Sequence, residues 1–102
     1  MINTILRTAE FDAWFSRLKD VRGKARIMER IRCVERGNSG DCAPVGEGVS
    51  EMRIHTGPGY RVYFARKGKV IYILLCAGIK SGQQRDIVRA KVLARLLRRI
   101  KQ

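Results

Sequence analysis

The hydrophobic period changes twice along the chain, and that change constrains the fold more than any other feature. Phe11, Trp14, Phe15 and Leu18 stand at the i, i+3, i+4, i+7 spacing of one buried helical face, and Ile27, Met28, Ile31 and Val34 form a second stripe. From Val49 to Ala77 the apolar residues alternate as they do in half-buried strands. Beyond Gly82, the residues Ile87, Ala90, Leu93, Ala94, Leu97 and Ile100 return to helical spacing. Helices, then an antiparallel meander, then a last helix predict an α+β sandwich.

Local signals set the boundaries. Residues 2–7 offer a short first strand resting on Ile5 and Leu6. Thr8 caps the first helix, with Glu10 in its first turn. Asp20 caps a second helix over residues 21–36, and Gly37 takes the left-handed position past its end. The segment Gly37–Gly48, GNSGDCAPVGEG, reads as a loop between a helical half and a sheet half. Three strands follow, Val49–His55, Tyr60–Ala65 and Val70–Ala77, joined by the TGPG turn and a Lys67-Gly68 turn. The third, VIYILLCA, is apolar on both sides and reads as the central strand. In SGQQ, Ser81 is the expected cap and Gln84 its capping-box partner, for a helix from Gly82 to Lys101. The prediction is one domain over residues 1–102. It is an antiparallel sheet with the two N-terminal helices on one face, a basic C-terminal helix, and the opposite sheet face open.

Charge decides which functions remain. The 22 Lys and Arg residues against 9 Asp and Glu give a net charge of +13, more than solubility requires. Such an excess points to a polyanionic partner, namely nucleic acid, an anionic membrane surface or an acidic protein, and nucleic acid is the favoured reading. No apolar run approaches the roughly 20 residues of a membrane span, and the N-terminus lacks a signal peptide's apolar core. A soluble, cytoplasmic protein without a membrane partner is expected. Cys33, Cys42 and Cys76 are odd in number and form no CxxC pair, so neither a disulfide framework nor a zinc site is predicted. The carboxylates are scattered, so no Mg²⁺ site and no cofactor are expected.

One constellation stands out in the meander. With Met52, Ile54, Val62 and Phe64 in the core, alternation puts Glu51, Arg53 and His55 of one strand and Arg61 and Tyr63 of the next on the other face. They share it if an odd number of residues separates the strands, as with Gly57-Pro58-Gly59 between Thr56 and Tyr60. These are groups that ribonucleolytic cleavage requires: a base for the 2′-hydroxyl, arginines for the phosphate and an acid for the leaving oxygen. Arg53 and Arg61 suit the phosphate because a guanidinium binds it bidentately. The competing reading is cross-strand pairing alone. Arg61 lies off the core face, so its truncation is expected to leave the fold intact.

The ordered series WFSRLKD, GNSGD, GVSEMRI, GPGYRVYF and AGIKSGQQRDI, ending in a basic helix, closely resembles the RelE/ParE superfamily of type II toxins. The likeness is strongest to the HigB-like branch, often labelled addiction module killer proteins, and runs from about Phe11 to Leu97. It implies a RelE-like fold, a neutralising antitoxin of helix-turn-helix type, and ribosome-dependent cleavage of mRNA. Arg61 in YRVYF matches the strand arginine that acts on the phosphate, and Lys80 matches the basic residue after the last strand. Arg53 falls in the family's ELR-type strand. The C-terminal tyrosine of some members has no counterpart after Tyr72, so the base stays open among His55, Glu51 and Lys80. Tyr63, Arg85, Arg89, Arg26 and Arg30 are the expected RNA and ribosome contacts. The alternative is a ParE-type toxin that inhibits DNA gyrase by protein–protein binding.

Overall fold

The computed structural model describes residues 2–100. The elements are β1 (Thr4–Arg7), α1 (Ala9–Arg17), α2 (Val21–Glu35), β2 (Cys42–Gly46), β3 (Val49–Ile54), β4 (Tyr60–Lys67), β5 (Ile71–Ile79), a 3₁₀ turn (Lys80–Gly82) and α3 (Gln83–Ile100). The first two helices start where their caps predict. Thr8 Oγ1 accepts from the Phe11 N–H at 3.0 Å, and Asp20 Oδ1 accepts from the Gly23 N–H at 3.0 Å. Each cap also reaches across the fold, which fixes the helix on the sheet. The Thr8 hydroxyl donates to the Leu75 carbonyl at 2.6 Å, and Asp20 Oδ2 accepts from the Tyr60 hydroxyl at 2.6 Å.

The α+β class holds, with corrections to the sheet, a loop and a cap. The sheet is mixed rather than antiparallel: its order is β1-β5-β4-β3-β2, and β1 runs parallel to β5. Part of the expected loop is a strand, because Cys42–Gly46 pairs with β3 as an edge, with a bulge between Pro44 and Gly46. An edge tolerates the missing N–H of Pro44, and the alternation that would mark a strand is absent there. Ser81 is not the cap of the last helix. The chain enters a 3₁₀ turn from Ile79 without a side-chain cap bond, and α3 begins at Gln83. The Ile100 side chain and Lys101, both assigned to that helix from the sequence, lie outside the described part.

Two apolar layers sandwich the sheet. Phe11, Ile27, Ile31 and Val34 from α1 and α2 pack on Met52, Ile54, Val62 and Leu74. On the other face, Ala90 and Ala94 of α3 pack on Val49, Tyr63, Leu75 and Cys76. A bulge helps to build this second layer. Tyr63 pairs with Cys76 and Phe64 with Leu74, so Leu75 is an extra residue, and it joins Cys76 on the α3 side. β5 is therefore apolar on both sides because both are covered, while the central position belongs to β4. The face expected to stay open carries a helix.

Candidate functional site

In the β3–β4 ladder Glu51 pairs with Tyr63 and Arg53 with Arg61, so these four side chains share the sheet face that α3 occupies. The predicted co-facial arrangement is present for these four, while His55 lies one residue beyond β3 and lines the adjoining cleft. Its surroundings differ from the prediction, because Tyr63, Glu51 and Arg61 are only 0%, 1% and 9% exposed.

Glu51 is the hub. Its Oε1 accepts from Arg53 Nε at 3.1 Å and Arg61 Nη1 at 3.0 Å. Its Oε2 accepts from Gln83 Nε2 at 2.7 Å and the Tyr63 hydroxyl at 3.3 Å. A buried carboxylate without donors would be strongly disfavoured, and here four donors saturate it. Burial pushes the Glu51 carboxyl up, but the hydrogen bonds from Arg53 and Gln83 and the Arg61 charge outweigh it and hold the group below its ordinary value. Glu51 is thus a poor proton acceptor, which argues against it among the three candidate bases. Burial, with the Glu51 charge second, raises the Tyr63 hydroxyl above the ordinary tyrosine range. Tyr63 lies under α3 and is not a surface for stacking a base.

A second carboxylate organises the edge. Asp41, from the segment read as a loop, lies 2.7 Å from His55 Nε2 and 3.5 Å from Arg53 Nη1. The Arg53 N–H also donates to the Asp41 carbonyl at 2.9 Å. The His55 hydrogen bond holds the Asp41 carboxyl below its ordinary value despite a partial desolvation cost, with the Arg53 charge adding to the effect. An ionised carboxylate only accepts, so Nε2 carries a proton in this contact, and in the neutral tautomer Nδ1 is the acceptor of the ring. Nothing local in GNSGD pairs Asp41 with a histidine fourteen places on; the β2–β3 register does.

Arg53, His55, Gly59, Tyr60, Arg61 and Lys80 line a small cleft of about 70 Å³. The Lys80 N–H donates to the Gly59 carbonyl at 2.7 Å, which ties the end of β5 to the β3–β4 turn and leaves the Lys80 side chain exposed. A larger depression of about 490 Å³ follows the turn from Ile79 to Arg85. The structure therefore brings Arg53, His55, Arg61 and Lys80 together.

The expected RNA contacts do not form one patch. Arg85 is exposed, with its nearest carboxylate, Asp86, at 3.9 Å. Arg89 is committed to Glu10 through Nε and Nη2, the shortest bond being 2.6 Å, and so ties α3 to α1. Arg26 and Arg30 belong to α2, on the other side of the sheet. Arg26 pairs with Glu29, and Arg30 donates to the carbonyls of Arg53, Ser39 and Asp41, which makes it a clamp on the β2 approach.

Besides Asp41, two participants escaped the sequence reading. Gln83 is the first residue of α3, and its amide reaches Glu51 across the sheet. Asp86 packs so closely on β5 that a Cβ at Gly78 would meet its Oδ2 at 2.0 Å, which explains the glycine there. Burial raises the Asp86 carboxyl above its ordinary value, only partly offset by Arg85. Among the described residues no group of three or more His, Cys, Asp or Glu side chains could hold a metal ion, and no helix is long and apolar enough to cross a membrane.

No family model matches the chain. It is 48% identical over 93 residues to an uncharacterized protein of Haemophilus influenzae (strain Rd), a match that covers 91% of this chain and 94% of that one. The chain belongs to the same family as that protein.

Proposed function

We propose that the protein is a RelE/ParE-type toxin, a metal-independent endoribonuclease that cleaves mRNA on the ribosome and is neutralised by a cognate antitoxin of helix-turn-helix type. The observation that carries this reading is the cleft, in which Arg53, Arg61, Lys80 and a carboxylate-oriented His55 converge on a chain of net charge +13. In this reading each group has one role. Arg61 uses one N–H group on Glu51, which holds the guanidinium in one orientation, and its remaining N–H groups serve the scissile phosphate. His55 Nδ1 takes the proton of the 2′-hydroxyl as the 2′-oxygen attacks phosphorus. The bond from phosphorus to the 5′-oxygen breaks, leaving a 2′,3′-cyclic phosphate, and Lys80 supplies the proton to the departing oxygen. One observation favours the gyrase reading instead: Arg61 is only 9% exposed and is already neutralised by Glu51, as a purely structural arginine would be.

The test is cleavage of mRNA on programmed ribosomes in the presence of a chelator, read by primer extension. Cleavage that Arg61→Ala abolishes supports the nuclease. Intact mRNA together with inhibited gyrase supercoiling overturns it.

A further inference from the structure

Arg53 and Arg61 stand directly opposite each other in the β3–β4 ladder, where two like charges repel. Glu51 Oε1 resolves the conflict, since it accepts from Arg53 Nε at 3.1 Å and from Arg61 Nη1 at 3.0 Å. On its other side Arg53 faces a second carboxylate. The Arg53 N–H donates to the Asp41 carbonyl at 2.9 Å, which sets Asp41 opposite Arg53, one place beyond the Cys42–Met52 pair. Asp41 Oδ1 lies 3.5 Å from Arg53 Nη1, and Asp41 Oδ2 lies 2.7 Å from His55 Nε2. The charges therefore run in one row, Arg61–Glu51–Arg53–Asp41–His55, from a buried guanidinium to an exposed imidazole.

Such a row would be weak if it rested on exposed ion pairs alone. Here the main chain fixes it. Arg30 of α2 donates to the carbonyls of Arg53, Ser39 and Asp41, which ties both ends of the Arg53–Asp41 pair to the helix. Gly40 is required beside this clamp: its φ is +65°, and a Cβ there would stand 2.9 Å from Arg30 Nη2. The two arginines of the cleft are thus unlike. Arg61 gives one nitrogen to a carboxylate, whereas Arg53 gives Nε to Glu51 and Nη1 to Asp41, which occupies most of the fork that a phosphate would need. We propose that Arg53 is a positioning residue that bridges Glu51 and Asp41, holds the His55 imidazole in a fixed place relative to Arg61, and does not bind the scissile phosphate. This role rests on the nuclease reading above, in which His55 is the base and Arg61 the phosphate ligand. It moves Arg53 out of the phosphate role expected of it from the sequence.

The experiment has two arms, and the first contains no RNA. His55 is the only histidine in the chain, so its ring-nitrogen signals in the isotope-labelled free protein are unambiguous. Arg53→Met, which keeps the apolar stem, and Asp41→Asn are both expected to move those signals in the same direction. The double variant should move them no further than Asp41→Asn does. The second arm measures mRNA cleavage at saturating programmed ribosomes. Each single variant should slow it about tenfold, because a misplaced base loses part of the roughly 10²–10⁴-fold that proton transfer contributes. The half-saturating ribosome concentration should stay the same. The double variant should be no slower than the slower single, since the two residues act as one unit. Should Arg53→Met fail to fold, Arg53→Lys, which keeps the charge and loses the fork, serves instead with the same expectations. Unmoved His55 signals in the folded Arg53 variant, losses that multiply in the double variant, or a raised half-saturation at an unchanged rate would each overturn the proposal and leave the nuclease reading standing. A natural chain that leaves mRNA intact overturns the nuclease reading and this role together.

Discussion

α3 divides one sheet face into two strips of opposite chemistry. Toward β3 the strip holds Glu51, Arg53 and Arg61, joined by Tyr63 and Gln83 into a polar cluster centred on Glu51. Toward β1 it holds Leu6 and Ile73, which have apolar neighbours on one side and solvent on the other. Both strips follow from the same alternation, yet they settle their energetics differently. In the polar strip every buried side-chain oxygen and nitrogen among the described residues has a partner, as buried charge requires, and Arg61 keeps further N–H groups beyond its Glu51 bond. The apolar strip is incomplete, because the hydrophobic effect is satisfied by any cover and here the chain supplies only half of one. Internal satisfaction fixes the side chains of the polar strip in place, and missing cover leaves the apolar strip partly in solvent.

The comparison breaks most visibly at Glu51. Glu51→Ala leaves Arg61 and Tyr63 buried without their acceptor and is expected to cost about 3–5 kcal/mol in denaturant unfolding, as for breaking a buried ion pair from one side. A loss under about 1 kcal/mol would mean that the cluster is hydrated and not a hub. Next comes Arg61→Ala, expected to lower the cleavage rate on programmed ribosomes by about 10²–10³. It should also lower stability, by about 1–3 kcal/mol, because the guanidinium is buried against Glu51. The expectation that this truncation leaves the fold largely intact rests on an exposed Arg61, whereas Arg61 is buried. Activity must be measured on the folded fraction.

The apolar strip should respond less. Leu6→Ser is expected to cost about 1 kcal/mol, roughly half the value of a fully buried leucine, consistent with its half-exposure. A cost near that of Glu51→Ala would show that Leu6 is core and that no open groove exists.

The finest distinction lies between two carboxylates on this face. Glu51 has its folded-state value held below the ordinary 4.5, so its contribution is present above that pH and is lost as pH falls through the depressed value. Asp86 has the opposite sign. Its folded-state value lies above the ordinary 3.8, so its contribution is fully present below 3.8 and is lost as pH rises through the raised value. Stability curves against pH should therefore lose part of their acid limb in Glu51→Gln. Asp86→Asn should be more stable than the natural chain at neutral pH and indistinguishable from it below 3.8. An Asp86→Asn protein that is less stable at neutral pH would show that the carboxylate has a partner.

Much of this was legible in the residues. The periods of α1, α2 and α3, the Thr8 and Asp20 caps, and the co-facial placement of Glu51, Arg53, Arg61 and Tyr63 are local properties. A helix or strand exposes its sides at a fixed repeat whatever packs on it. His55 and Arg61 could accordingly be named as candidates, Lys80 was named only through the family resemblance, and the three line one cleft. Whether that face was open was not legible, because an arginine on an alternating strand reads the same whether water or a buried glutamate receives it. The strand at Cys42–Gly46, the parallel pairing of β1 with β5, the Asp41–His55 contact and the reach of Gln83 to Glu51 all join residues distant in the chain. Such pairings depend on which backbones the packed core brings within hydrogen-bond distance. That was decided by the tertiary structure, since local periodicity carries no term for it.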